Sequence, residues 1–276
     1  MHNLARWLVA ASIMAAGSQA LAAQAAFSTP QAAADALVEA VSTGDDAGLR
    51  NVLGSDFRRF VPRDSVARED IYAFLAAWSG HHEIVSTGPS SAEFVVGNDG
   101  WSFPAPLVKN AQGWHFDLQA GVKEMNHRRL DRNEDAAIAT LVQLCQAQES
   151  FRATMGDGKP ALRIVSTEGQ ADGLYWDAGV ASSVPSPLTD DALVMGADVP
   201  VDAAFHGYRF AVVQPMDPSG CSFAAWPASH GKTGEFSFVI GPGMAIKERD
   251  FGRNVGLAEI TGRQSRASER WQPVQL

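Results

Sequence analysis

Apolar and polar residues alternate with a period of two along three segments between residues 206 and 252, a pattern typical of half-buried strands. The apolar positions are Tyr208, Phe210 and Val212, then Cys221 and Phe223, then Phe236, Phe238 and Ile240. Proline and glycine separate the segments, as in Gly241-Pro242-Gly243. Because short connections favour antiparallel neighbours, the pattern predicts a three- or four-stranded meander with one apolar face.

An apolar stripe with helical spacing precedes this meander and predicts a long helix that begins at Asn133. We expect Asn133 to cap the helix, with Glu134 and Asp135 in the first turn, where the helix dipole favours negative charge. The stripe contains Ala137, Ile138, Leu141, Leu144, Cys145, Gln148 and Phe151. We expect this helix to cover the apolar face of the meander.

The N-terminal half of the chain has three helical patterns followed by four short strand patterns. The helices are expected at 29–43, 45–53 and 65–78, and the strands at 83–86, 92–96, 103–108 and 113–116. Pro104 and Pro106 place the third strand at a sheet edge, since proline donates no ladder hydrogen bond. The order of elements predicts an α+β protein, with N-terminal helices and a small antiparallel sheet, then a long helix packed on a C-terminal antiparallel meander.

The pattern divides the chain into consecutive segments. These are a signal peptide at 1–22, an N-terminal half at 23–117, a connector at 118–132, a C-terminal half at 133–260 and a polar tail at 261–276. Each half has its own helical stripes and strands, so we expect a separate core in each.

The first residues resemble a targeting segment. Arg6 supplies a positive charge, Trp7 to Ala16 form an apolar run too short to span a bilayer, and Ala20-Leu21-Ala22 matches a cleavage signal. Cleavage is expected after Ala22, which predicts a periplasmic or secreted protein without a transmembrane segment.

Cys145 and Cys221 are the two cysteines of the chain, and an even count in an oxidising compartment predicts a disulfide. Cys145 lies on the stripe of the predicted helix, and Cys221 is in phase with Phe223 on a strand that this helix should cover. Both side chains would then point into one layer. The alternative is two buried thiols in the same core.

Charge and motifs exclude several kinds of chemistry. The formal net charge of −9 argues against a nucleic-acid partner, which would need a basic face. The sequence has no phosphate-binding or dinucleotide glycine loop and no serine-hydrolase elbow, so no cofactor is expected. His81-His82-Glu83 lacks the spacing of a zinc motif, and no metal site is expected.

Several ordered motifs carry a family resemblance. They are the segment from Asn98 to Val108, Gly113-Trp114-His115-Phe116-Asp117, Arg128-Arg129 with Arg132-Asn133-Glu134, Asp172-Gly173-Leu174-Tyr175-Trp176, His206-Gly207-Tyr208-Arg209-Phe210 and Ala225-Trp226-Pro227. Together they resemble the bacterial envelope family catalogued as domain of unknown function 2950, over about Phe27 to Pro273. The resemblance implies no catalytic residues. Members often carry Asp-Gly-Asp-Gly after the long helix, whereas Gly156-Asp157-Gly158 retains a single carboxylate, too few for calcium.

Two further resemblances concern parts of the chain. The long helix followed by Gly-Tyr-x-Phe and Ala-x-Trp-Pro strands resembles the globular head of type IV pilins and pseudopilins, which implies a helix packed on a sheet. The first 90 residues or so of the mature chain loosely resemble the start of the cone-shaped fold of nuclear transport factor 2-like domains.

An aromatic set is the main candidate for a binding site. Aromatic side chains with a few polar groups line many ligand pockets. The candidate residues are Tyr175, Trp176, His206, Tyr208, Trp226 and His230. Tyr175 and Trp176 would anchor the irregular segment 164–200 over the meander, near Tyr208 or Trp226. The alternative is that these aromatics are core residues.

The sequence therefore favours an exported binding or scaffolding module of the cell envelope over an enzyme. Its partner would be an envelope protein, a peptide or a glycan. One alternative is an envelope hydrolase whose site is assembled from residues distant in sequence. Another is an assembly partner in a pilin-like or secretion system.

Overall fold

The computed structural model describes residues 24–62, 66–181, 184–196, 198–200, 203–214, 221–262 and 271–274. The predicted signal peptide and its cleavage point lie outside these residues. The chain divides into two compact units, with the boundary between Glu124 and Met125. Helices and antiparallel sheets make up both units, so the predicted α+β class is confirmed.

The first unit begins with four helices and continues with five strands. The helices are α1 (Pro30–Thr43), α2 (Asp46–Leu53), α3 (Phe57–Phe60) and α4 (Arg68–Gly80), and the strands are β1 (His82–Gly88), β2 (Ser91–Val96), β3 (Trp101–Ser102), β4 (Leu107–Asn110) and β5 (Gly113–Phe116). Thr29 caps α1, because its hydroxyl accepts the backbone N–H of Ala32 at 3.1 Å. The sheet has the order β1-β2-β4-β5, and β3 pairs with β2.

The prediction of an edge strand at 103–108 is wrong. The ladder strand β4 starts at Leu107, after both prolines, and lies between β2 and β5. Pro104 and Pro106 therefore do not interrupt its hydrogen bonds. Buried side chains of α1, α2, α3 and the sheet, including Leu37, Phe57 and Phe94, form the core of this unit.

Helix α5 (Leu118–Thr154) is one continuous element of 37 residues. The predicted helix start at Asn133 is therefore wrong, because residues 118–132 are already helical. The carboxylate of Asp117 accepts the backbone N–H of Ala120 at 3.0 Å, which places the cap sixteen residues earlier. Because no proline lies between Asp117 and Asn133, nothing interrupts the helix there, and a helix that has started extends readily.

The second unit contains a five-stranded antiparallel sheet. Its strands are β6 (Tyr208–Val212), β7 (Phe223–Pro227), β8 (Ser237–Ile240), β9 (Ile246–Arg249) and β10 (Gln272–Pro273), in the order β10-β9-β8-β7-β6. A short 3₁₀ helix at Asp190–Met195, called the 190–195 helix below, precedes the sheet. Another 3₁₀ turn (Pro242–Met244) joins β8 to β9, and α6 (Leu257–Gly262) follows the sheet.

Apolar side chains pack on both faces of this sheet. On one face Phe223 and Phe238 join Leu141 and Leu144 of α5 in the main core. On the other face Ala224 and Val239 join a smaller cluster with Ile260 of α6 and Trp271. The predicted one-sided meander thus has apolar contacts on both faces, and Trp271 packs against the smaller cluster.

Cys145 of α5 and Cys221, two residues before β7, are joined in a disulfide whose Cα atoms lie 4.8 Å apart. This separation falls within the normal range for the bond. Within the described ranges, no helix has both the length and the apolar character needed to cross a membrane.

Candidate binding site at the β6 edge

The predicted aromatic site residues lie in different parts of the second unit. Trp176 and Tyr208 are buried in the main core, where the Trp176 ring lies 6.3 Å from that of Phe151. Trp226 packs in the cluster on the opposite sheet face. Side chains alternate along β7, so Trp226 and the core residue Ala225 point in opposite directions. Trp176, Tyr208 and Trp226 therefore do not line a common aromatic pocket.

The two histidines of the predicted site have different contacts. His206 adopts a left-handed backbone with a φ of 50°, and its ring lies 4.2 Å from that of Phe205. It lines a recess of about 360 Å³ beside α5. His230 lies 2.8 Å from the carboxylate of Asp250. The backbone N–H of Gly252 and His230 hold the pKa of Asp250 below its ordinary value despite partial burial.

A large recess lies along the outer edge of β6. It has a volume of about 840 Å³, which is within the usual size range of ligand sites. Four consecutive residues of β6, Arg209 to Val212, line it on one side, and the segment 162–168 lines it on another. Alternate side chains of a strand point to opposite faces, so a recess lined by consecutive residues runs along the strand's backbone edge. We call this site the β6 recess.

The hydrogen bonds to β7 show which backbone groups of β6 face the recess. The carbonyl of Gly207 accepts the N–H of Ala228 at 3.0 Å, and the N–H of Val213 donates to the carbonyl of Ser222 at 2.9 Å. Backbone groups of successive residues alternate between the two sides of a strand. The backbone N–H and C=O groups of residues in phase with Gly207 and Val213 therefore point toward β7. Those of Phe210 and Val212 point outward, away from β7.

Some of these outward groups have backbone partners among the described residues, and others do not. The outward N–H and C=O of Tyr208 bond to Phe205, at 2.9 and 2.8 Å. No described residue makes a backbone hydrogen bond to the outward groups of Phe210 or Val212.

Tyr175 connects the walls of the β6 recess. Its backbone N–H donates to the carbonyl of Ile164 at 2.9 Å, and its carbonyl accepts the N–H of Ser166 at 2.9 Å. Its hydroxyl lies 3.1 Å from carboxylate oxygens of both Asp177 and Asp190. Burial and these two carboxylates raise the pKa of Tyr175 to about 12, so the hydroxyl is a donor at neutral pH. The predicted ligand residue Tyr175 thus holds the segment 162–168 and the 190–195 helix in place.

A carboxylate on α5 lies at the N-terminal end of β6, where the strand starts at Tyr208. Glu134 accepts the N–H of Glu235 at 2.7 Å and of Phe236 at 3.3 Å, and lies 3.5 Å from the hydroxyl of Tyr208. Burial raises the pKa of Glu134 above its ordinary value, against the opposing effect of the two backbone donors. Burial and the charge of Glu134 raise the pKa of Tyr208 strongly. That hydroxyl donates to the carbonyl of Phe236 at 2.8 Å.

Of the predicted site residues, Trp226 lines the β6 recess, whereas sequence reasoning missed the other residues of its lining. The strand itself was predicted, but its position at the open edge of the sheet depends on the order of strands in space. The segment 162–168 has no regular secondary structure, and its place beside β6 follows from its bonds to Tyr175. The sequence signal that pointed toward this part of the recess is the irregular segment 164–200 with its apolar anchors Tyr175 and Trp176.

Two compact units built from helices and antiparallel sheets, with a recess at the open sheet edge of the second, define a two-unit α+β protein. The chain belongs to the family described as protein of unknown function DUF2950, whose family model matches residues 24–274. The family resemblance seen in the sequence motifs is therefore confirmed. No curated protein and no solved structure matches the chain, and the pilin-like resemblance stays a prediction.

Proposed function

We propose that this protein is an exported binding module of the cell envelope that captures an extended peptide segment as an additional strand beside β6. The observation that carries the proposal is the backbone edge at Phe210 and Val212, which has no backbone partner among the described residues and faces a recess of about 840 Å³. Added strands gain affinity from main-chain hydrogen bonds and specificity from pockets for alternate side chains. A glycan offers no such regular ladder of donors and acceptors.

The size and lining of the recess favour an apolar peptide. The four lining residues of β6 span about 13 Å at the usual rise of a strand. Leu162 and Leu193 line the recess and are 66% and 47% exposed, so each offers apolar surface to a side chain of the peptide. Arg163, which also lines the recess, pairs with Asp172 at 3.4 Å. The described lining contains two basic and two acidic side chains, which does not select a strongly charged partner.

The cell-envelope location rests on two observations. The N-terminal sequence has the features of a signal peptide, and the Cys145–Cys221 disulfide is of a kind that persists in oxidising compartments. The hydrolase alternative gains no support at this site, because no described histidine lines the β6 recess.

Phage display of random seven-residue linear peptides against the folded chain would provide the probe. A selected peptide is then synthesised, and its affinity is measured by fluorescence polarisation. Amide exchange of the labelled protein is followed in the same complex. Strand addition predicts that the N–H groups of Phe210 and Val212 become protected when the peptide binds, because they gain hydrogen-bond partners.

Two substitutions at Val212 separate the backbone from the side chain. Val212→Pro removes the outward N–H, and the bonds to β7 are spared because this N–H does not face β7. Val212→Ala keeps the N–H and shortens the side chain. We expect Val212→Pro to weaken binding about tenfold and Val212→Ala to weaken it much less. Equal losses in the two variants, or selection that yields no saturable peptide, would contradict strand addition.

A further inference from the structure

The first unit contains a cavity of about 400 Å³ between its helices and β3. Leu37 of α1, Leu53 of α2 and Phe57 of α3 form its floor and are almost fully buried. Ile71 and Phe74 of α4 form one side. We call this site the α4 cavity. Its volume is within the range of small-molecule sites and is too small for a folded partner element.

Helix α4 does not close this cavity by packing. None of its residues is fully buried, and Ile71 and Phe74, which line the cavity, remain half-exposed. Val66 and Trp101 also line the cavity, and they are 38% and 45% exposed. Apolar side chains on concave, exposed surface are typical of a ligand site.

The described polar side chains around the cavity already have partners within the protein. Arg58 forms an ion pair with Asp46, and its guanidinium lies 4.5 Å from the centre of the Phe57 ring. The carboxylate of Asp70 accepts the N–H of Ala67 at 3.0 Å. Apolar contact is therefore the main attraction that the lining offers to an occupant.

Charge narrows the class of ligand. The described lining contains one cationic side chain, Arg58, and two carboxylates, Asp46 and Asp70. An anionic group in the cavity would face this excess of negative charge in a partly desolvated site, which is unfavourable.

We infer that the α4 cavity binds an uncharged, largely apolar ligand, an aromatic or aliphatic small molecule without an anionic group. This is a second binding activity, in a different unit from the β6 recess. The aromatic lining, with Phe57, Phe74, Trp101 and Phe103, suits edge and face contacts with the rings or chain of such a ligand.

Two fluorescent probes test both the site and the charge preference. N-phenyl-1-naphthylamine is uncharged, and 8-anilino-1-naphthalenesulfonate has a closely similar ring system with an added sulfonate. Each probe is titrated into the full chain, and its emission is recorded. We expect one molecule of the neutral probe to bind saturably per chain. Affinity for the anionic probe should be at least about tenfold weaker, because its sulfonate would face the excess of negative charge in the lining.

A matched pair of substitutions locates the binding. Val41 lines the cavity, and Val85 of β1 is exposed and does not line it. Val41→Phe should fill part of the cavity and weaken binding of the neutral probe about tenfold or more, whereas Val85→Phe should not. Circular dichroism and thermal melting check that both variants fold. Because the β6 recess is in the other unit, peptide binding should be unchanged in Val41→Phe.

Several results would overturn the inference. They are absence of saturable binding to the wild-type chain, equal weakening in Val41→Phe and Val85→Phe, or equal affinity for the two probes. A wild-type dimer that Val41→Phe dissociates, measured by light scattering, would assign the cavity to a second copy of the chain. If Val41→Phe fails to fold, Ile71→Phe tests the same cavity from α4.

Discussion

The hydroxyl of Tyr175 lies 3.1 Å from a carboxylate oxygen of Asp190, the first residue of the 190–195 helix. The backbone of Tyr175 bonds at the same time to Ile164 and Ser166. One residue therefore connects the two segments that enclose the β6 recess opposite the strand. Walls that are connected in this way are already ordered before a ligand binds. Binding therefore costs less conformational entropy.

Tyr175→Phe should loosen the recess while leaving the core packed. The substitution removes the hydroxyl that reaches Asp177 and Asp190 and keeps the ring, which is nearly fully buried. We expect faster amide exchange in the 190–195 helix, a lower melting temperature and severalfold weaker peptide binding, because the wall is less ordered. Exchange and affinity are measured on the same protein samples.

The chain contains a matched control for this change. Tyr72 of α4 is 62% exposed, and Tyr72→Phe removes a hydroxyl in the other unit. Unchanged exchange in the 190–195 helix of Tyr175→Phe would show that the hydroxyl does not hold that wall.

The sequence predicted β6, β7 and β8 from large apolar side chains that recur at every second position, whereas β10 lies in the predicted polar tail. Phe236, Phe238 and Ile240 pack in the main core, as the period of two required. The sequence pattern did not indicate which of the candidate site residues lie on the same face of the sheet. Trp226 is close in sequence to Phe223 and Ala225, but it lies on the other sheet face because it is one residue out of phase with Ala225.

The start of α5 was misplaced for a local reason. Asn133 followed by Glu134 and Asp135 is a common helix-start pattern. Here, however, the side chains of Asn133 and Glu134 form hydrogen bonds with a different segment. The amide of Asn133 donates to the carbonyl of Thr233 at 2.9 Å, and the carboxylate of Glu134 accepts the N–H groups of Glu235 and Phe236. Partners a hundred residues away in sequence cannot be inferred from local spacing.

Glu134 should make the stability of the protein depend on pH. Burial raises its pKa above the ordinary value of 4.5, so the folded state holds the proton more tightly than the unfolded state. The resulting stabilisation is complete below about pH 4.5 and is lost as the pH rises through the pKa of the folded state. Glu134→Gln lacks this titration. The unfolding free energy of the wild type, minus that of Glu134→Gln, should therefore fall between pH 4 and pH 7.

Urea unfolding at several pH values measures this difference. Glu149, an exposed residue of the same helix, provides the control Glu149→Gln for loss of one carboxylate from α5. A difference between the wild type and Glu134→Gln that rises with pH would reverse the sign and contradict a raised pKa at Glu134.

Gly234 should not tolerate a side chain. A Cβ at this position would lie 2.0 Å from the hydroxyl oxygen of Tyr208, whose side chain is fully buried and donates to the carbonyl of Phe236. Tyr208 cannot move away without losing that bond, so we expect Gly234→Ala to destabilise the protein by about 1–3 kcal/mol. Gly241→Ala is the matched control, since its Cβ would have no neighbour within 4 Å and its φ is −135°. Similar denaturation midpoints for the two variants would contradict the close contact.

The disulfide should contribute much of the stability of the second unit. Cys145 and Cys221 are separated by 76 residues, and the chain-entropy model gives a stabilisation of about 4 kcal/mol for a loop of that length. We expect the double variant Cys145→Ala/Cys221→Ala to lose about this amount in urea unfolding, and the wild type to lose a similar amount in dithiothreitol. The agreement between the two measurements separates loss of the bond from loss of the sulfur atoms in the core. Thiol counting on the denatured, unreduced protein is the direct check, and two free thiols per chain would show that the bond is absent.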